Sequence, residues 1–570
     1  MSGRQSFGVG KFKGLLIVGC FSLLVEFLLD FASSVIAGNL LGAEGLSGVN
    51  MVQPICSVIT FMAGMIGTGM GVNYALAIGR CDKEAAHGIF SQGLWTALIC
   101  GSLMALAGWL FRGAYIDFLG ASDGAAKCAD AYLTIYLGDA VLEPLQLLFL
   151  NCCYVDGDKK LCVTSYVVDL VVKVPVAIAG IELAGLGAGG CALGSLAGSG
   201  AAVAILSLHF LRKTNSFRLL RRFRFADTVS IFKSACGDSS TFLCSAVVTF
   251  LVTKLTLAVE GPEMMPVVSL VIMTYLLTEL FDGLGVALQP IASVYFGEDN
   301  TVAAKRVVRS ALSIAAVVGS VIMLALLVYP DVLLKVVGMD DQSLVGPARA
   351  AVRFAAVCML PLAFGSVFNS FFVVIGREGL AVLITVFTWM VAPSAAMFAL
   401  APLGPYGVWA GFGFGMALGL VAFWSVLIAK KGVSSFPYLI GAERDARIYM
   451  FDLELDDARI AEVARAVSDR LRESGASDSV RMRASLMTEE VLMVVKDHNA
   501  PKRVLGEVTL DLNDGVSLTI RDDGVVFDIT DADQQISSLR TFLVASVMER
   551  QKYRMNLLTT GFNRNVFKFR

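Results

Sequence analysis

The sequence predicts a helical membrane protein that carries a soluble domain at its C-terminal end. Of its 570 residues, 56% are hydrophobic and only 16% are charged, and the mean hydropathy is +0.71. A soluble fold of this size cannot bury so much apolar surface, so most of the chain belongs in a bilayer. Charge is concentrated at one end, because residues 441–570 carry 41 of the 94 Asp, Glu, Lys and Arg residues. This shift in composition predicts a separate soluble domain over residues 445–570.

Twelve apolar stretches are long enough to cross a bilayer, since a transmembrane helix needs about 20 residues. The stretches at 49–78 and 267–296 are longer than the others and carry Pro and several Gly, which predicts bent or tilted helices. The twelve predicted spans cover residues 14–37, 49–78, 88–110, 129–150, 162–183, 190–211, 235–259, 267–296, 307–329, 352–375, 380–401 and 407–429.

The first six spans and the last six repeat one another. Four residues of the first half have an identical residue 218 positions later, and this register holds from the second span of each half to the sixth. The repeat predicts two pseudo-symmetric six-helix bundles, residues 1–211 and 235–432, joined by a basic loop at 212–234. The four pairs are Gly79 and Gly297, Gly120 and Gly338, Asn151 and Asn369, and Pro175 and Pro393.

Lys and Arg residues lie mainly on one side of the predicted membrane. With both termini inside, nineteen of them fall in or beside the inner loops and five in or beside the outer loops. Six of the nineteen lie in the connecting loop between Arg212 and Arg224, which contains no acid and is suited to contact with anionic lipid. The bias predicts a multi-pass protein of the cell membrane with both termini in the cytoplasm.

The C-terminal domain is predicted to be an α/β sandwich. Residues 447–455 alternate like a strand, whereas 457–472 and 479–497 have helical periodicity. Strands at 507–512 and 516–521 flank the turn Asn513-Asp514-Gly515, which is typical of a hairpin. A short helix near 539–550 and two strands, around 553–558 and 565–569, complete the prediction.

Ionisable residues inside the spans are the first candidates for function, because each is costly in hydrocarbon and usually faces a cavity. Carboxylates outnumber amines among them, which suits a pathway that takes up protons or cations. Asp169 and Lys173 are four residues apart and share a helix face, so a mutual ion pair is an open alternative. No catalytic residues and no metal site are predicted. The ionisable residues are Glu26, Asp30, Asp139, Glu143, Asp169, Lys173 and Glu182 in the first half, and Asp238, Lys254, Glu279 and Asp282 in the second.

Parts of both halves resemble multidrug and toxic compound extrusion (MATE) transporters. VIAGNLLGAEGLSGVNMVQPICSVITFMAGMIGTGMG at Val35–Gly71, followed by AIGRCDKEAA at Ala77–Ala86, resembles the first two helices of that family. GLGVALQPIASVYFGEDNTVAAKR at Gly283–Arg306 is similar to the matching helix and loop of its second half. The resemblance covers about residues 10–435 and includes the twelve-span layout. Its motifs are specific for the family but say little about substrate.

The resemblance implies an antiporter rather than an enzyme, with H⁺ or Na⁺ entering as an organic cation or another amphiphile leaves. Family members commonly carry an Asp in the first span, five residues before a Gly. Here Ser33 precedes Gly38 at that spacing, and the nearest acid is Asp30. The resemblance places Asp169 where the fifth span of the family is often polar. The candidate residues for ion coupling and the substrate cavity are Glu26, Asp30, Asp139, Glu143, Asp169, Lys173, Lys254 and Glu279.

The C-terminal domain resembles the GHKL type of ATP-binding domain, in particular the anti-sigma-factor kinases. In RDDGVVFD at Arg521–Asp528, the resemblance implies that Asp522 reads the adenine and that Gly524 lets the backbone close over it. Glu490 and His498 keep the family spacing, but Val494 stands where an Asn would hold Mg²⁺. The glycine-rich lid is replaced by VAS at residues 544–546. We therefore expect the fold without a working nucleotide site, and no cofactor apart from the coupling ion.

Two other functions stay open beside an exporter with a regulatory domain. One is a flippase for lipid-linked precursors, which would need several cationic side chains in its cavity. The other is a membrane-tethered sensor or kinase, which would need the Asn and the glycine lid that are missing here. The expected partners are a cationic or amphiphilic small molecule, the lipid bilayer and a cytoplasmic protein that binds the C-terminal domain, with no nucleic acid.

Overall fold

The computed structural model describes most of both membrane halves and a large part of the C-terminal domain. Side chains at some helical positions within these ranges, including most of residues 18–35, are also outside the description. The described residues are 6–80, 82–119, 123–212, 215–220, 225–260, 264–337, 342–431, 445–525 and 563–569.

The described residues of the first half of the chain, which we call the first lobe, form six helices. Helices α3 and α4 meet at a bend of 49° and together cover the predicted fourth span. A 3₁₀ turn, Leu208–Leu211, extends the last helix. The helices are α1 (Phe7–Gly79), α2 (Lys83–Leu119), α3 (Asp123–Tyr136), α4 (Asp139–Val155), α5 (Lys159–Glu182) and α6 (Ala188–Ser207).

Helix α1 includes both of the first two predicted spans. A straight helix of its 73 residues would be roughly 110 Å long. Phe7 and Ile78, from its opposite ends, nevertheless lie in one buried cluster of the first lobe. The chain therefore reverses direction within α1, and both ends of α1 lie on the same side of the bundle.

The described residues of the second lobe form ten helices. Helix α7 begins at Phe225, inside the range predicted for the connecting loop. A 3₁₀ turn, Leu277–Phe281, separates α8 from α9, in agreement with the bend predicted for 267–296. The helices are α7 (Phe225–Glu260), α8 (Met265–Leu276), α9 (Asp282–Gly297), α10 (Thr301–Val328), α11 (Asp331–Val337), α12 (Gln342–Ala356), α13 (Met359–Val374), α14 (Glu378–Val386), α15 (Ala392–Leu400) and α16 (Pro405–Lys431).

Many of these helices are suited to a bilayer by length and composition. Within the described residues, nine helices are long and apolar enough to cross a membrane, or ten if the bent pair α3 and α4 counts as one span. The total of twelve spans stays a prediction.

The two lobes meet at backbone level through one of the predicted repeat pairs. A Cβ atom added to Gly79 would lie 2.6 Å from the carbonyl oxygen of Val294 and 3.0 Å from the Cα of Gly297. A Cβ atom on Gly297 would lie 2.7 Å from the carbonyl oxygen of Leu76. Side chains at these two positions would force the helices apart. The ends of α1 and α9 are therefore in direct contact, and we call this the closed end of the bundle.

Polar contacts extend this closure along the second arm of α1. The side-chain amide of Asn73 donates to Ser234 Oγ at 2.8 Å, on helix α7 of the opposite lobe. A Cβ on Gly69 would collide with the carbonyl oxygen of Ile231. Close packing between the lobes thus continues for about ten residues before the end of α1.

The basic connecting loop folds back onto the first lobe. Its anchor is His209, a fully buried residue whose two ring nitrogens lie 2.9 Å from Asp156 Oδ2 and 3.3 Å from Asp158 Oδ2. Ser216 donates its backbone N–H to Asp156 at 2.9 Å, and the ring of Phe217 stacks on Tyr74 at 4.1 Å. Part of the predicted lipid-facing loop is therefore packed against protein.

The C-terminal domain, which we call the tail, forms an antiparallel sheet in the order β1-β2-β3-β4 with two helices on one face. Leu510 and Leu518 of the sheet share a buried core with helix residues such as Val467 and Val491. Gly515 turns the β2–β3 hairpin with a φ of 101°, as the sequence predicts. The elements are β1 (Ile448–Glu454), α17 (Asp457–Glu473), α18 (Asp478–Asn499), β2 (Leu505–Asp511), β3 (Val516–Asp522) and β4 (Asn563–Phe569).

The tail elements agree with the sequence-based expectations where both can be compared. The predicted helix near 539–550 and strand near 553–558 lie outside the described residues. The sandwich and the GHKL type of fold therefore stay predictions.

His209→Gln is expected to lower the thermal stability of the protein, because a neutral amide cannot neutralise the buried carboxylate of Asp156, whereas Asp158 keeps Arg212 as a partner. Leaving a buried charge without its partner typically costs about 3–5 kcal/mol. Thermal unfolding of the purified protein in detergent would measure the effect. Lys160→Gln, which neutralises an exposed cation at the start of α5, is the control and should leave the transition unchanged. Equal transitions for the two variants would contradict a stabilising role for His209.

Candidate functional site

A cavity lies between the two lobes and is lined by both. The first lobe contributes residues of α1, α4 and α5, and the second contributes residues of α7, α9, α13, α14 and the turn after α14. Its volume is about 150 Å³, which is room for roughly five water molecules. The described lining comprises Gly19, Thr60, Gly64, Thr68, Leu147, Leu150, Asn151, Tyr154, Tyr166, Ser239, Thr241, Asp282, Gly285, Gln289, Ser366, Asn369, Ser370, Thr385 and Trp389.

Neutral polar groups dominate this lining. Asp282 is the one carboxylate among the described lining residues, and none of them is Lys or Arg. The hydroxyl oxygen of Ser366 lies 3.2 Å from Asp282 Oδ1 and 3.0 Å from the carbonyl oxygen of Phe281. Gln289 donates to Ser370 Oγ at 3.4 Å. The cavity can therefore accept a neutral or cationic guest through hydroxyl, amide and carboxylate oxygens.

A turn of π-helix shapes the wall on the second-lobe side. Residues Phe387–Val391 form this turn between α14 and α15, and it contains Trp389. Such turns are rare and often occur at functional sites. The indole ring packs edge-to-face on Tyr275, with centroids 6.0 Å apart, and is almost fully buried. Trp389 thus gives this wall of the cavity a flat aromatic surface held in place by its neighbours, and Tyr154 and Tyr166 line the first-lobe side.

A second polar cluster lies inside the first lobe. Asp139 begins α4, and the hydroxyl of Ser199 on α6 hydrogen-bonds to it. Asp169 on α5 accepts a hydrogen bond from the side-chain amide of Gln146 at 3.1 Å. Lys173 is near enough to Asp139 to interact with its charge. Both carboxylates are buried, with 4% and 6% of their surface exposed.

Small residues on α6 make room for this acid cluster. A Cβ on Gly194 would lie 2.6 Å from the carbonyl oxygen of Lys173, and a Cβ on Gly198 would collide with Asp169 Oδ1. Glycines spaced four residues apart let membrane helices approach closely. Helix α6 therefore lies directly over the polar face of α5.

The acid cluster contains one carboxylate oxygen that is available as a hydrogen-bond acceptor. Asp139 Oδ1 is buried and has no hydrogen-bond partner among the described residues. Two carboxylates and one ammonium also leave one formal negative charge in the cluster. An incoming proton or small cation would satisfy both the charge and the open acceptor.

The candidate residues from the sequence divide between these places. Asp139, Asp169 and Lys173 form the acid cluster, and Glu143 lies one turn along α4 from Asp139, within electrostatic reach of Tyr136. The ammonium of Lys254 is exposed and lies 5.9 Å from the ring centroid of Phe250. None of the five belongs to the described lining of the central cavity. The side chains of Glu26, Asp30 and Glu279 lie outside the described residues.

Residues that line the cavity were mostly missed at the sequence level. A search for charged residues overlooks neutral ones such as Gln289 and Thr68, which cost less to bury. One signal was present, because Asn151 and Asn369 form a repeat pair and both line the cavity. Asp282 was among the ionisable residues noted but was not chosen as a candidate.

Comparison with known families supports the fold. A family model described as MatE matches residues 19–179 and 239–396, one segment in each lobe and together more than half of the chain. The chain belongs to the MatE family. The resemblance to MATE transporters is thereby confirmed, and the protein is a multi-pass membrane transporter. No curated protein sequence matches the chain.

Solved structures of MATE transporters are similar to this transporter in fold. A MATE protein in complex with MaL6 is 19% identical, with a TM-score of 0.70 over 75% of this chain and 97% of that one. An outward-facing multidrug resistance MATE transporter of the MOP superfamily is 20% identical, with a TM-score of 0.68 over 75% and 100% of the two chains. A MOP superfamily transporter from Pyrococcus furiosus with a binding pocket of reverse polarity is 18% identical, with a TM-score of 0.69 over 75% and 96%.

Two residues of the predicted nucleotide site in the tail, Asp522 and Gly524, contact other residues of the tail. Asp522 is almost fully buried, and its Oδ1 accepts from the amide of Asn563 at 2.7 Å and from the backbone N–H of Gly524 at 3.0 Å. Asn499 fills the space beside Gly524, where an added Cβ would lie 2.5 Å from its amide nitrogen. The carboxylate expected to read adenine is thus engaged within the protein.

The two helical residues of the predicted nucleotide site lie on α18. Glu490 and His498 are half-buried, and Val494 between them is fully buried in the core of the tail. Val494 therefore serves packing at the position where the GHKL resemblance implies an Asn. ATP binding by the tail stays untested.

Asp522→Asn is expected to stabilise the tail at pH 7.5 by about 1–3 kcal/mol. Burial raises the pKa of the Asp522 carboxyl to about 6, although the hydrogen bonds from Asn563 and Gly524 act to lower it. Because the pKa is raised in the folded tail, the protonated carboxyl favours folding, and this contribution is lost as the pH rises through about 6. An Asn side chain keeps an oxygen acceptor and removes the charge.

Hydrogen–deuterium exchange of peptides from β2 and β3 in the full-length protein would measure this effect at pH 5.5 and 7.5, after correction for intrinsic rates. Asp514→Asn removes an exposed carboxyl from the hairpin turn and is the control. Faster exchange in Asp522→Asn than in the wild type at pH 7.5 would show that the ionised carboxylate is needed.

Proposed function

We propose that this transporter is a secondary-active exporter of organic cations or other amphiphiles, driven by a gradient of H⁺ or Na⁺. The observation that carries the proposal is the cavity shared by the two lobes, whose described lining consists mainly of neutral polar groups, with three aromatic rings and one carboxylate. Such a lining suits a guest with apolar surface and a positive or neutral head. One structural relative is described as a multidrug resistance transporter, which agrees with this substrate class.

The coupling ion is proposed to bind at the acid cluster of Asp139, Asp169 and Lys173. Asp139 and Asp169 are buried, and the three groups together carry one formal negative charge. Asp139 Oδ1 has no hydrogen-bond partner among the described residues. Taking up H⁺ or Na⁺ would neutralise the cluster and change how tightly α4, α5 and α6 pack. Because α4 and α5 also line the cavity, through Asn151, Tyr154 and Tyr166, their movement would alter the substrate site.

The two alternative functions have less support. A flippase for anionic lipid-linked precursors would need cationic side chains in the cavity, and the described lining has none. A kinase would need an accessible nucleotide site, whereas Asp522 and Gly524 contact other residues of the tail. We therefore propose a regulatory role for the tail, which would lie in the cytoplasm with both termini according to the distribution of Lys and Arg.

Gradient-driven transport of a cationic dye would test this function. Purified protein in liposomes would be given an imposed pH gradient, then a Na⁺ gradient, and ethidium movement would be followed. We expect flux under one of the two gradients. No flux under either gradient, combined with movement of a fluorescent lipid-linked precursor, would favour the flippase instead.

Asp169→Asn is expected to reduce the gradient-driven flux roughly tenfold or more, because the amide keeps a hydrogen-bonding side chain but cannot take up a cation. Asp130→Asn is the matched control. It neutralises an acid on α3 that is half exposed and paired with Arg112 at 3.3 Å, outside the cluster. Undiminished coupling in both Asp169→Asn and Asp139→Asn would exclude the acid cluster as the ion site and direct attention to Asp30 and Glu279.

A further inference from the structure

The second face of the tail sheet is polar and lies against the closed end of the bundle. Helices α17 and α18 cover the opposite face, so each strand alternates between the tail core and this surface. Buried or partly buried residues that contact the bundle come from all four strands, and we call them the docking face. They are Asp452 on β1, Glu507 and Thr509 on β2, Arg521 on β3 and Arg564 on β4.

The centre of the docking face is a buried ionic network. Arg521 forms ion pairs with Glu507, at 2.5 Å, and with Glu298 at the end of α9. Arg521 also lies over the ring of Tyr295, 4.7 Å from its centroid, and Tyr295 donates its hydroxyl to Glu507 at 3.1 Å. Arg564 lies 3.0 Å from the other oxygen of Glu298. The network contains two Arg and two Glu, so its formal charges balance. Undocking the tail would separate Glu298 from both Arg side chains and leave buried charges without partners, so the balance holds only while the tail remains docked.

Arg564 contacts both lobes at once. Its Nε atom pairs with Glu298 of the second lobe, and its Nη1 atom donates to the carbonyl oxygen of Gly79 in the first lobe, at 3.3 Å. That carbonyl is at the C-terminal end of α1, where helices leave acceptors unsatisfied and a cation is favourable. The same Gly79 touches Gly297 directly. One guanidinium group therefore bridges the junction between the lobes.

Outer contacts of the docking face also divide between the lobes. On the first lobe, Lys11 pairs with Asp523 at 3.3 Å, and the backbone N–H of Phe7 donates to Asp452 at 2.8 Å. On the second lobe, Lys305 pairs with Asp445. Arg306 of the same lobe lies 3.4 Å from Asp452. The tail is thus anchored to both lobes, and Asp452 contacts both of them.

We propose that the tail is a clamp that holds the two lobes together at the closed end. The inference rests on the proposed exporter, in which alternating access requires the lobes to separate at this end during each cycle. Separation would pull Gly79 away from Glu298, and Arg564 could follow only one of them. The docked tail therefore favours the state in which the cavity is closed at the tail side, and opening there requires the sheet to detach from at least one lobe.

A distance measurement between the lobes tests the clamp without depending on transport. Spin labels would be placed at Arg80 and Arg309, both exposed, near the tail-side ends of α1 and α10, in full-length protein with its accessible native cysteines replaced. Electron paramagnetic resonance in lipid nanodiscs would give the distribution of distances. We expect one short distance to dominate in the otherwise unmodified protein.

Arg564→Ala is expected to raise the ratio of separated to closed lobes roughly tenfold, because Glu298 loses a buried partner and the bridge to Gly79 is gone. Lys568→Ala, which removes an exposed cation four residues along β4, is the matched control and should leave the distances unchanged. Glu298→Gln removes the partner on the lobe side and should have the same effect as Arg564→Ala. It provides an independent test if the tail of Arg564→Ala fails to fold.

Unchanged distances in both Arg564→Ala and Glu298→Gln would overturn the clamp. A shift in either of them, with no shift in Lys568→Ala, would support it even if dye transport were absent, in which case only the proposed substrate would fail. A shift of equal size in Lys568→Ala would mean that β4 merely tolerates no substitution, and would also overturn the clamp.

Discussion

Contact between Gly79 and Gly297 is the constraint on which the rest of the structure depends. With no side chain at either position, the ends of α1 and α9 meet at backbone distance. The contact leaves the carbonyl oxygen of Gly79 and the carboxylate of Glu298 close enough for a single guanidinium group to reach both. It also ends the cavity on this side, because the lobes remain packed from Gly69 to Gly79. Access to the cavity, the closed end and the position of the tail all follow from one pair of glycines.

Charge is distributed unevenly across the three polar regions, in agreement with the different roles proposed for them. The cavity is mostly neutral, which allows a guest to bind without being held too tightly to leave. The acid cluster keeps a net negative charge inside the first lobe and so attracts a cation. The docking face is buried but balanced, since Arg521 and Arg564 face Glu298 and Glu507. Opening a balanced buried network on one side leaves a buried charge without its partner, which typically costs about 3–5 kcal/mol, and this suits a clamp rather than a binding site.

Sequence patterns could predict the regular parts of this protein. Helix positions, the hairpin at Gly515 and the two tail helices follow from hydrophobic periodicity and turn residues, which act over a few positions of the chain. The repeat register also identified two pairs of residues that matter in the structure. Gly79 and Gly297 meet at the closed end, and Asn151 and Asn369 both line the cavity. A search of the sequence for charged residues inside the spans identified Asp139 and Asp169 of the acid cluster, but it did not identify the cavity. Neutral residues such as Gln289 and Ser370 occur both in cavity walls and in ordinary helix packing. A single sequence contains no pattern that distinguishes the two.

By itself, the sequence determined that the chain is a two-lobed membrane protein with a charged soluble tail, because composition and periodicity are properties of single segments. Only the tertiary structure decided which residues share a cavity and what the second face of the tail sheet touches. Arg521, Arg564 and Glu298 are 43 to 266 residues apart in the chain, yet they form one buried network. The Asp522 carboxylate, which the sequence predicts to be a nucleotide contact, accepts a hydrogen bond from Asn563. Contacts of such long range depend on how the lobes and the tail are placed in space, and local sequence patterns do not encode that placement.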